Sequence, residues 1–136
     1  MMEVTRSYSA VKREVRRMSE YIGLKAGAFD KLRALEKDDE QLRRWHEDGV
    51  AVVCALLDRV TESVTRQDDG DVVLHLSVSN ASAPLVADAL RSAVSCHVLV
   101  RWLKLVAPSL VEVYAADEAR SLETLGRLCY YREMPA

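Results

Sequence analysis

The chain has 136 residues, 49% apolar and 29% charged, a composition that fits one globular domain and excludes a disordered or low-complexity chain. Five glycines and three prolines are too few for a turn-rich all-β fold. With 19 basic against 21 acidic side chains, the overall basic balance of a general nucleic-acid binder is excluded as well.

From Thr5 to Ile22, Tyr8, Val11, Val15, Met18 and Ile22 recur at helical spacing, which predicts an amphipathic first helix. Lys12, Arg13, Arg16 and Arg17 form a basic stripe on its other side. The helix is expected to fade at Gly23, and residues 28–37 read as a linker with a helical turn around Phe29, Leu32 and Leu35. Asp38-Asp39-Glu40 then marks a second helix start, because acidic side chains suit the positive end of the dipole and accept from unpaired backbone N–H groups. Its pattern runs to about Ser63, with Leu42, Trp45, Val52, Val53, Leu56 and Val60 on one side. Val50–Leu57 is apolar on every side, which predicts passage through the middle of the core. Gly49 interrupts this helix at a cost of about 1 kcal/mol relative to alanine, so close approach by a neighbouring backbone is expected.

Asp71–Ser79 alternates Val72, Leu74, Leu76 and Val78 with Val73, His75, Ser77 and Ser79, the period of a strand with one apolar face. Asp68-Asp69-Gly70 supplies a turn before it. A lone strand leaves its backbone unpaired. Either Glu62–Arg66 folds back as a partner, or the strand pairs elsewhere, including on another copy. A third helix is expected from the Ser82 N-cap and Pro84 to about Val106, stopping before Pro108. A fourth starts near Ser109, with Ser109 and Glu112 as a capping box and a break near Asp117–Ser121. Residues 133–136 read as a tail. The fold class that follows is mainly α: a compact bundle of about four helices with one short β-strand or hairpin, in a single helical domain over residues 1–136.

Little in the chain spells out chemistry. Cys54, Cys96 and Cys129 lie inside apolar stretches and read as small core residues. His46, His75 and His97 have no ligand spacing, and Cys96 and His97 point about 100° apart on a helix. Phosphate-loop, dinucleotide, nucleophile-elbow and HExxH patterns do not occur. The expectation is a protein that is not an enzyme, with no cofactor and no metal. The longest uninterrupted apolar run, Val50–Leu57, is far below the ~20 residues that span a bilayer, and the N-terminus lacks a signal-peptide core. No membrane partner is expected, and the setting reads as the reducing interior of the cytoplasm, or a particle assembled there.

Two surfaces stand out instead. Wound at about 100° per residue, the third helix places Asp88, Arg91, Ser92 and Ser95 on one side of its first half. His97, Arg101 and Lys104 fall on the opposite side of its second half. Either one helix packs against different neighbours inside the domain, or the later half, with Val98, Leu99, Trp102 and Val106, is a protein interface to a second subunit. The basic stripe of the first helix has two readings also. It is a solvated face pairing with Glu14 and Glu20, or a charged contact surface for an acidic partner or DNA phosphate. Charge distribution bears on the second reading, because residues 1–46 are net +3 and residues 47–81 net −5. Asymmetry of this kind guides copies of one protein onto each other. No base-reading motif accompanies the stripe, so specific nucleic-acid recognition is not expected.

The layout itself is suggestive. A short N-terminal helical segment leads to Tyr21-Ile22-Gly23, and the acidic start Asp38-Asp39-Glu40-Gln41-Leu42 feeds a long apolar helix. A β element, an Asn80–Pro84 entry and a long helix with Trp102 follow. This resembles the small helical connector or adaptor proteins of tailed-phage and prophage structural modules, which form rings between head and tail. The resemblance implies a non-enzymatic structural subunit whose partners are copies of itself and other structural proteins, joined by repeated head-to-tail contacts. The alternative is a small cytoplasmic helical binding or regulatory module that uses the basic face of the first helix.

Overall fold

A computed structural model describes residues 2–26, 38–78 and 83–131. The expected Ser82 cap, the linker over residues 28–37 and the tail over 133–136 lie outside the described residues. In chain order the elements are β1 (Met2–Arg6), α1 (Tyr8–Ala26), α2 (Asp39–Leu56), β2 (Thr61–Arg66), β3 (Val72–Leu76), α3 (Ala83–Val106) and α4 (Val111–Gly126). A 3-10 turn at Pro108–Leu110 joins α3 to α4, and a π turn at Arg127–Tyr131 follows α4. Among the described residues the fold is mainly α, with four helices and a small antiparallel sheet in the order β1-β3-β2.

β3 is paired on both sides within its own chain, which answers the question its lone alternation raised. Leu74 sits between Val4 of β1 and Val64 of β2. Val72, Leu74 and Leu76 turn into the core, while Val73 and His75 lie on the outer face. Pairing places Glu3, Thr5, Ser63 and Thr65 beside them. Gly70, in the turn before β3, has φ +93°, a left-handed conformation that side chains resist.

β1 corrects the expectation of one helix from Thr5. Val4 and Arg6 are buried and Glu3 and Thr5 exposed, a strand period disguised by an arginine at an inward position. The helix therefore begins at Tyr8. Ser7 Oγ accepts from the Ala10 N–H at 3.3 Å, and the Asp71 carboxylate accepts from the Tyr8 N–H at 2.8 Å, so the sheet helps to cap α1.

α2 is shorter than its apolar pattern implied. It ends at Leu56, and β-branched Thr61, Val64 and Thr65 belong to β2. Nor is Val50–Leu57 buried all round: Val50, Val53 and Leu57 face the core, while Ala51, Val52 and Ala55 are exposed. Gly49 does mark a close approach, but by side chains rather than backbone. A Cβ there would lie 3.3 Å from Val94 Cγ1 and 3.4 Å from His97 Cβ, both on α3.

The helix through the middle is α3, which touches α1, α2, α4 and β1 and is buried on every side from Ala93 to Val100. Its switching faces are internal packing. In the first half, Arg91 Nη1 and Ser95 Oγ donate to Glu14 Oε2 of α1 at 2.8 and 3.2 Å. Ser92 Oγ lies 2.8 Å from Ser121 Oγ of α4. In the second half, His97 Nδ1–H donates to the Glu118 carboxylate of α4 at 2.7 Å. The expected interface is corrected accordingly: Val98, Leu99 and Trp102 are 1%, 0% and 8% exposed, spent on the chain's own core, and Val106 is half-buried against it. By length and composition α3 could cross a membrane, with mean hydropathy 1.3 over its most apolar window, of which 56% is buried inside the fold.

α4 begins at Val111 with no side-chain cap, because Ser109 is held in the 3-10 turn, and it runs unbroken through Asp117–Ser121. The π turn after it buries Cys129 and lets the Tyr130 hydroxyl donate to the Leu56 carbonyl.

Candidate functional site: the outward face of the first helix

Helical geometry divides the basic stripe of α1 into three parts. Val11, Val15 and Ile22 fix the buried side, so residues a turn apart on the opposite side face solvent. Lys12 falls on the flank toward α2, where its Nζ lies 2.8 Å from Asp39 Oδ1. The Tyr8 hydroxyl donates to the same oxygen at 2.8 Å. The Lys12 bond first, and the Tyr8 bond second, hold the Asp39 carboxyl below its ordinary range. Arg16 is half-buried.

Glu14 falls on the opposite flank and takes Arg91 and Ser95 of α3. Arg91 also donates to Asp88, and these two carboxylates, Asp88 first, hold its guanidinium above its already high value. α1 is thus pinned on both flanks by ion pairs to different helices.

Between the flanks stand Arg13 and Arg17. Both are exposed, one turn apart, and neither makes an ion pair among the described residues. With Ala10, Glu14 and Arg91 they outline a shallow cleft of about 310 Å³. Arg17 also borders an apolar cleft of about 400 Å³ lined by Met18, Tyr21, Ile22 and Tyr114. Guanidiniums so placed suit a carboxylate or phosphate, which they bind through paired N–H donors.

Several polar groups were not singled out by their sequence context. Arg6 is 5% exposed, and burial, with Arg91 second, lowers its pKa against the opposing pull of Glu14 and Asp71. Its Nε has no hydrogen-bond partner among the described residues. His46 is fully buried, packs edge-on against the Tyr8 ring at 5.3 Å, and leaves both nitrogens without a partner among the described residues. Its pKa is pushed down to about 4, chiefly by burial. The one signal for these groups was their position: Arg6 at an inward strand site, His46 on the apolar face of α2.

A second groove, about 510 Å³ between α3 and α4, contains Ser92, Cys96, Asp117, Arg120, Ser121 and Thr124. Among the described residues no histidine lines it to activate a serine, and burial pushes the Cys96 thiol up to about 11, so the thiol stays protonated at neutral pH. Cys54 is also raised by burial. Among the described residues no three His, Cys, Asp or Glu side chains converge as a metal site. No family model, no curated protein and no solved structure matches the chain.

Proposed function

We propose that this chain is a non-enzymatic assembly protein that acts by contact, through the outward face of α1. The observation that supports the reading is a helix tied on both flanks by ion pairs to other helices, presenting Arg13 and Arg17 without an ion pair among the described residues. Ties of this kind limit the entropy lost when a partner is bound. The layout of the chain gives the proposal its most specific form, a subunit of the connector kind in a phage or prophage particle. Its partners are then structural proteins, its setting the cytoplasm or the assembled particle.

A regulatory module using the same face is the second reading. It draws on the cleft where Arg13, Arg17 and Arg91 stand together, which suits one acidic partner. Stoichiometry separates the two, since an assembly repeats its contact and a regulator makes it once.

The test is the native size of the chain in its own host. On the assembly reading it migrates in a complex well above its 15.3 kDa, and the Arg13→Glu/Arg17→Glu double variant releases it. Migration of the unaltered chain as a single subunit throughout would overturn the reading.

A further inference from the structure

Among the described residues ion pairing leaves unmatched charge on several surfaces, and two of these faces carry opposite sign. On the side formed by α2 and β2 the basic groups are engaged. Arg44 pairs with Glu40, Arg66 with Glu47, and Arg43 donates to the Asp68 carbonyl. Arg59 lies over the Tyr130 ring, 4.7 Å from its centroid. Asp48, Asp58 and Glu62 are left exposed there, with no ion pair among the described residues. On α1 the imbalance is reversed, with Arg13 and Arg17 exposed.

We infer that the α1 face docks on the α2 face of a second copy of this chain. Arg17 meets the Asp48 carboxylate, while Arg13 and Asp58 add to the opposite charge of the two faces without pairing directly. Tyr21, 58% exposed and one turn beyond Arg17, covers Ala51, Val52 and Ala55, the outward apolar residues of α2. The spacings agree: Arg17 to Tyr21 and Asp48 to Val52 are each four residues, a rise of about 6 Å on both helices. The two faces differ, so the contact is heterologous, and its repetition builds a ring or a filament.

Exposed charge pairs each contribute little, so the charges set register and encounter rate while the tyrosine supplies the apolar contact. The inference rests on the assembly reading and adds the identity of the partner.

Sedimentation of the purified full chain, at low and then at high salt, tests it. The unaltered chain self-associates at low salt, and its association constant falls on the order of tenfold or more as salt screens the faces. Arg13→Glu/Arg17→Glu and Asp48→Arg/Asp58→Arg are each monomeric, since each presents two faces of one sign. Mixing the two variants in equal amounts restores association, a result that misfolded variants could not give. Arg13→Gln/Arg17→Gln gives an intermediate constant. If the purified chain stays monomeric at all concentrations while its native complex still depends on Arg13 and Arg17, the partner is another protein and this inference falls, leaving the assembly reading intact. Should the reversed variants associate as the unaltered chain does, the faces are wrongly assigned.

Discussion

The Tyr8 hydroxyl donates to Asp39 Oδ1 at 2.8 Å, with the Asp39 carbonyl oxygen 2.9 Å away, and so ties the first turn of α1 to the first turn of α2. Lys12 reaches the same carboxylate, one turn along. The residues are 31 apart in sequence, so the knot holds the two helix starts in register across the segment between them.

Tyr8→Phe keeps the ring against His46 and removes only the knot, so it should cost about 1–2 kcal/mol in chemical denaturation. The phenol is pushed well above its ordinary 10.0, first by burial and then by Asp39. Above pH 10 the unfolded chain therefore loses this proton before the folded one, and stability falls as pH rises. Tyr8→Phe should flatten that alkaline loss, which a denaturation series across pH measures.

His46 makes the opposite prediction at acid pH. Its folded pKa of about 4 lies below the ordinary 6.5, with burial the main cause; Arg6 and Arg43 add to the depression, and Glu47 and Asp71 oppose it. The unfolded chain takes up this proton first as pH falls. The contribution is thus whole above pH 6.5 and declines between 6.5 and 4, amounting to about 3 kcal/mol by the lower limit. His46→Leu should remove that decline, read as the difference between the two stability curves. Parallel curves from pH 7 to pH 4 would show that the imidazole is not dry in the native state.

At Gly49 two effects oppose each other. Alanine gains about 1 kcal/mol of helix propensity, but its Cβ meets Val94 Cγ1 at 3.3 Å, tighter than ordinary contact. Gly49→Ala should therefore change stability by less than about 1 kcal/mol. Gly49→Val adds two methyls where α3 cannot retreat, and should cost about 2–3 kcal/mol. Thermal unfolding of the pair gives both values.

Trp102 and Trp45 are both buried, at 8% and 9% exposure, so native tryptophan emission should be blue-shifted and poorly quenched by acrylamide, in monomer and oligomer alike. Trp102→Ala should cost about 3–5 kcal/mol of folding stability. Efficient quenching of the monomer that vanished on association would return Trp102 to an interface.

Local periodicity in the sequence determined the helical class, the inward face of β3, the stop before Pro108 and the place where α2 starts. Each depends on residues within a few positions of one another. The cap of α2 was not determined in this way. No side chain caps α2, and the Asp39 carboxylate expected to accept from backbone N–H groups is taken by Tyr8 and Lys12. Periodicity also marked the basic stripe as a unit. Tertiary structure decided which members of that stripe face outward, because Lys12 is claimed by Asp39 on α2 while Arg13 and Arg17 are exposed and make no ion pair among the described residues.

Burial of Val98, Leu99 and Trp102 was a tertiary decision too. A helix with apolar residues on all sides reads the same in sequence whether its second face meets another copy or another helix of its own chain. α3 is surrounded by α1, α2, α4 and β1, and its polar residues are matched by Glu14, Ser121 and Glu118 from far along the chain. β1 stayed hidden because a strand's partner is set by distant pairing, and because Arg6 occupies an inward position that only Glu14, Asp71 and the packing around them make habitable.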